Sequence, residues 1–151
     1  MGKPRIPFPL FPTPVRWAAV LAIASLIFYA SLVTVPETVV DDAQPEFIPI
    51  NYWRHLVAYF ALGGSLAYAT DDWHLDRWKQ AAFVIAIAAM YGIAMEAGQH
   101  FLPHRTLFLL TDAAVNTLGA TGVVSWYLVR PYLDLRPIDE LTDRFSLRKR
   151  N

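Results

Sequence analysis

The chain has 151 residues, a length for one domain, with 55% apolar and only 17% charged side chains, against about 25% charged in a typical soluble domain. Its 13 basic and 13 acidic residues cancel, so no overall positive field argues for nucleic acid. There is no cysteine, which excludes disulfides, thiolate metal sites and a cysteine nucleophile.

In chain order, residues 1–16 form a proline-rich segment carrying Lys3, Arg5 and Arg16. The first apolar run follows, from about Trp17 to Val35. It exceeds the ~7–15 residues of a signal-peptide core and no small-x-small cleavage site follows it, so a retained helix is expected. Three more runs come after it, Tyr52 to Thr70, Gln80 to Phe101 and Leu107 to Val129. Each is close to the ~20 residues that a helix needs to cross a bilayer core. Trp17, Tyr52, Trp53, Trp73, Trp78, Trp126, Tyr127 and Tyr132 mark their edges, as an aromatic belt would. Prolines fall mostly between the runs, where they punctuate helices without breaking them. The runs lack period-two alternation, and an open sheet edge cannot sit in lipid, so strands are a poor reading there. A soluble bundle would need four helices apolar on nearly every face, with too little polar surface left over.

The expectation is therefore an all-α, polytopic helix bundle in the cell membrane with about four transmembrane helices. Residues 17–130 form the multi-pass domain, and 131–151 a charged cytoplasmic tail, solvated or on the lipid surface and with little order from Asp134 onward. Gly63 with Ala67, Ala94 with Gly98 and Gly119 with Gly122 sit near one-turn spacing, where backbones can approach closely.

Orientation follows from the basic residues. With four spans, both termini share a side with Arg77 and Lys79. Only Arg54 and Arg105 fall opposite, so eleven of the 13 basic residues lie on the terminal side, which the positive-inside rule makes cytoplasmic. The first connection, with Glu37, Asp41, Asp42 and Glu46 and no basic residue, is external.

Strongly polar side chains inside a span are costly and normally face the bundle interior or water. His55 lies near the start of the second run; Glu96, Gln99 and His100 near the end of the third; Asp112 and Asn116 near the start of the fourth. All belong to the external half, with Glu96 and Asp112 at a matched depth of ~7–8 Å. Glu96, Gln99 and His100 share one helix face, and so do Asp112 and Asn116. Arg105, in the short connection between them, is expected to join Glu96 and Asp112 in one network. Plainer roles fit each residue as well: an interfacial histidine at His55, a headgroup contact at His100 or Arg105, a helix cap at Asp112, interhelical hydrogen bonds at Gln99 and Asn116. A purely architectural ion network also fits the charged residues.

The run Glu96-Ala-Gly-Gln99, then Pro103-His-Arg105, then Asp112-Ala-Ala-Val-Asn116-Thr-Leu-Gly119 resembles the signature of the VanZ-like membrane proteins. That family shows Glu-x-x-Gln, Pro-x-Arg and Asp-x-x-x-Asn-x-x-Gly across two adjacent helices, and an earlier helix opening with a histidine, which His55 matches. The resemblance covers about Asn51 to Gly122 and departs at Asn51 and Tyr52, where the family usually carries Asp-Lys. It implies a small polytopic protein of the cell envelope, from a family named for glycopeptide resistance, and leaves its chemistry open.

Three functions compete. In the first, His55, Glu96, Gln99, Arg105, Asp112 and Asn116 line an external pocket for an envelope lipid, a lipid-linked precursor or an amphiphilic antibiotic, with Arg105 pairing an anionic group. In the second, Glu96 or Asp112 is the general base and His55 the acid of an intramembrane enzyme. In the third, the cluster only locks helices together. No dense ligand spacing marks a metal site around His55, Glu96 and Asp112, so no metal or cofactor is expected. The expected partners are membrane lipids or a lipid-linked envelope component, and another copy of the chain if it oligomerises.

Overall fold

A computed structural model describes residues 5–33, 50–101 and 110–140. A short strand β1 (Ile6–Leu10) leads into helix α1 (Thr13–Phe28), which runs on as a π-helical turn over Tyr29–Val33. Helices α2 (Ile50–Ala69), α3 (Arg77–His100), α4 (Leu110–Thr121) and α5 (Val124–Val129) follow. A 3₁₀ turn, Arg130–Tyr132, leads into strand β2 (Leu133–Pro137).

Local chemistry sets several boundaries. Pro14 stands in the first turn of α1, where its fixed φ suits the helix and its missing N–H costs nothing. Asp76 caps α3 by accepting from the backbone N–H of Trp78 at 3.0 Å and of Lys79 at 3.3 Å, meeting two donors that the helix start leaves over. Between α2 and α3 the chain turns at Thr70, whose hydroxyl donates to the Leu66 carbonyl at 2.8 Å. The Gln80 amide reaches back to the Thr70 carbonyl and hydroxyl.

The protein is mostly helical. Two segments, Thr13–Val33 and Arg77–His100, are long and apolar enough to cross a membrane, which supports membrane association. Alongside an apolar core of Val20, Ile27, Tyr59, Leu62, Leu66 and Val84, several polar side chains are buried while large apolar ones are exposed. Leu26 is 67% and Leu118 61% exposed, whereas Asp112 is 2% and Asn116 0% exposed. Polar side chains that point inward while leucines point outward are what a hydrocarbon surrounding demands.

Two sequence expectations need correction. The fourth run, expected as one helix over 107–129, is divided: α4 ends at Thr121, and α5 restarts at Val124; residues 107–109 lie outside the described residues. Here Gly122 donates to the Gly119 carbonyl at 3.1 Å and Val123 to that of Ala120 at 3.1 Å. Two glycines at this spacing weaken the helix, and the chain tightens to i→i−3 bonding.

The tail was expected to lack order from Asp134, yet Leu133–Pro137 forms a strand parallel to Ile6–Leu10, in register Ile6 to Leu133. Prolines are tolerated because a two-stranded sheet consists only of edges. The anchor is apolar. Phe8 packs edge-to-face on Tyr68 and Trp126 at 6.2 and 5.9 Å between ring centres, and Leu133 is buried. The Tyr68 hydroxyl donates to the Pro9 carbonyl at 2.7 Å and accepts from the Phe11 N–H at 2.9 Å. The two ends of the described chain thus meet at one end of the bundle.

That end is also an ion-paired plate built on the α2–α3 turn. Arg16, buried at the start of α1, donates to the Tyr68 and Ala69 carbonyls at 3.0 and 3.2 Å and to the Asp72 carboxylate at 3.0 Å. Arg130 engages both oxygens of Asp71 at 2.6 and 2.8 Å. Several of the cationic residues counted for orientation are therefore structural as well.

Candidate functional site

The opposite end of the bundle, where α2 and α4 begin and α3 ends, holds a different kind of polar cluster. His55 projects from the first turns of α2, Glu96 from the last turns of α3, and Asp112 and Asn116 from successive turns of α4. One ligating atom from each of His55, Glu96 and Asp112 lies within 4.8 Å of the other two. His55 Nδ1 stands 2.6 Å from Asn116 Oδ1, a short bond that fixes the ring if Nδ1 carries the proton. Glu96, Asp112 and Asn116 are buried, and His55 is half-buried.

Small residues make this convergence possible. A Cβ on Gly119 would lie 2.6 Å from the carbonyl oxygen of Leu56, so only glycine lets α4 close onto the backbone of α2 beside His55. A Cβ on Gly92 would lie 2.9 Å from Asn116 Cβ and 3.1 Å from the Tyr59 ring, so Gly92 makes room for Asn116 against α3. Gly98 receives Leu32 from the turn after α1.

Of the residues singled out from sequence, His55, Glu96, Asp112 and Asn116 come together. Gln99 is buried, and its amide donates to the Ser31 carbonyl at 3.0 Å, which ties α3 to the π-helical turn after α1. His100 is exposed and stacks edge-on with Phe101. Arg105, with the network expected of it, lies outside the described residues. Two neighbours were missed. Tyr59, one turn beyond His55, is 2% exposed, and its hydroxyl has no hydrogen-bond partner among the described residues. Gly92 stands one turn before Glu96. The same i,i+4 spacing that groups Asp112 with Asn116 points to both.

Chemically, two buried carboxylates this close repel. The repulsion is relieved by any positive charge between them, whether a proton, an imidazolium, a cationic ligand group or a metal ion. Donors that could orient a ligand stand alongside: the Tyr59 hydroxyl and Asn116 Nδ2, which likewise lacks a partner among the described residues. No protein-family model, curated protein or solved structure matches the chain.

Proposed function

We propose that the chain is a VanZ-like protein of the cell membrane that crosses it four times with both termini cytoplasmic. Its site of His55, Glu96, Asp112 and Asn116 opens to the outside and holds the polar headgroup of an envelope lipid, a lipid-linked precursor or a glycopeptide-type amphiphile. One observation carries this reading: four polar side chains converge at one end of a bundle that exposes many large apolar side chains, leucine, valine, phenylalanine and tryptophan among them. In lipid, such a cluster must face something polar, and a headgroup at that depth is the nearest candidate.

Other features agree. In this reading the 20-residue α2 and the α4–α5 pair, with apolar side chains exposed along both, make the second and fourth crossings. The pairing of β1 with β2 suits an even number of spans. Arg54, exposed beside His55, and Arg105 are the two basic residues on the external side, where they suit an anionic headgroup. The enzyme alternative draws on the same geometry, with a carboxylate beside an imidazole as an acid–base pair. It differs in requiring turnover.

The test is native mass spectrometry of detergent-purified protein after exposure to envelope lipid extract. Wild type is expected to retain a headgroup-bearing lipid, and Glu96→Gln and Asp112→Asn to retain it at least about tenfold less, the loss of one charge-assisted contact. Equal retention by all three folded proteins overturns the binding site; a cleaved or modified headgroup selects the enzyme.

A further inference from the structure

We propose that His55, Glu96 and Asp112 form a binding site for a divalent cation of the Zn²⁺ or Mn²⁺ class, with a coordination position left open for the anionic group of a ligand. The choice of ligand rests on the headgroup reading above; the cation site rests on the cluster itself.

The geometry comes first. Three atoms within 4.8 Å of one another leave a point no more than about 2.8 Å from all three, against bonds of ~2.0–2.2 Å to zinc and ~2.3–2.6 Å to calcium. Small side-chain rotations close that difference. The three groups come from three different helices, so no sequence spacing could show them as a ligand set.

The chemistry agrees. One imidazole nitrogen with two carboxylate oxygens suits borderline divalent ions; the chain has no thiolate for soft ones, and magnesium prefers to keep most of its water. With Nδ1 carrying the proton, the Asn116 carbonyl, 2.6 Å from His55 Nδ1, is the outer partner that metal-bound histidines commonly have, leaving Nε2 its lone pair for the metal and holding the ring in place. Three protein ligands leave a fourth position, the pattern of sites that bind or activate a further ligand. Tyr59 and Asn116 both pack around Gly92, one turn from Glu96, and the Tyr59 hydroxyl and Asn116 Nδ2 are buried and without partners among the described residues. They can donate to a metal-bound water, phosphate or carboxylate.

The test uses the full chain, purified on a non-histidine tag, stripped with EDTA and titrated in detergent with Zn²⁺ and separately with Mn²⁺. About one equivalent is expected to bind per chain, with a loss of about 10–100-fold in affinity on Asn116→Ala and a larger loss on Asp112→Asn and His55→Gln. His74→Ala and His100→Ala, at exposed histidines, should bind as wild type does. Where a site variant fails to fold, the spin-echo modulation of Mn²⁺ on wild type takes its place and should carry the ¹⁴N signal of one imidazole. No stoichiometric binding, binding that survives Asp112→Asn and His55→Gln, or bound Mn²⁺ without nitrogen coupling overturns the site. Lipid capture with and without EDTA separates the two proposals. Metal without lipid supports the cation site and overturns the headgroup reading; lipid without metal does the reverse.

Discussion

Arg16→Ala should destabilise the protein by about 3 kcal/mol, far more than removal of an ordinary surface arginine. Arg16 is buried and donates to two carbonyls at the end of α2, to the Thr13 hydroxyl and to Asp72. Hydrogen bonds from a charged donor contribute about 1.5–3 kcal/mol each, and a cation at a helix C-terminus adds to that. Arg16→Lys should recover only part of the loss, because a single ammonium cannot span acceptors that the planar guanidinium fork reaches together. Asp72→Asn should cost little, within the ~0–1 kcal/mol of an exposed pair, because that carboxylate is half-exposed and screened by water. The hydrogen bond from Arg16 holds the Asp72 carboxyl below its usual 3.8. Its contribution is therefore present at pH values above 3.8 and is lost as pH falls through the lowered value. The bonds to the carbonyls do not titrate with it. Thermal unfolding in detergent checks all three variants. Equal losses for Arg16→Ala and Asp72→Asn would mean that the ion pair, not the carbonyl bonds, carries the contribution.

The second large effect should come from one added carbon. Gly119→Ala places a Cβ 2.6 Å from the Leu56 carbonyl oxygen and 3.1 Å from its Cα. Both are backbone atoms, which cannot rotate away, so α4 must move off α2. A cost of about 1–3 kcal/mol is expected for alanine and more for Gly119→Val. The displacement falls beside His55 and parts it from Asn116, so retention of the proposed ligand should fall with stability. Gly64→Ala is the control, since nothing lies within 4 Å of the added atom. A helical glycine replaced in open space should stabilise by about 0.4–1 kcal/mol. Opposite signs at two helical glycines would establish close approach of α2 and α4 as the cause; the same sign at both would refute it.

Much of this architecture was legible locally. The expected starts of the first three helices, at Trp17, Tyr52 and Gln80, fall within four residues of those observed, because proline, the Asp76 cap and the onset of apolar runs all act over one turn. The convergence of His55, Glu96, Asp112 and Asn116 was legible for the same reason. Polar residues in apolar helices must turn inward, and i,i+4 spacing put Asp112 on the face of Asn116, which bonds His55. What could not be read is what depends on distant partners. Nothing in Ile6–Leu10 announces Leu133–Pro137 as its neighbour. Arg16 and Arg130 count as cytoplasmic charges until Asp72 and Asp71 are seen against them. Gly92 matters only because Asn116 and Tyr59 arrive from two other helices.

In the proposed topology, which molecules can reach the site depends on the side of the membrane to which it opens. The absence of native cysteine allows this to be measured with single substitutions and an impermeant thiol reagent on intact cells. A cysteine at Asp41, in the connection before α2, should be labelled. Cysteines at His74, in the turn before α3, and at Ser146, near the C-terminus, should react only after the membrane is permeabilised. The reverse pattern would contradict the account, place His55, Glu96 and Asp112 at the cytoplasmic face and exclude an external envelope ligand.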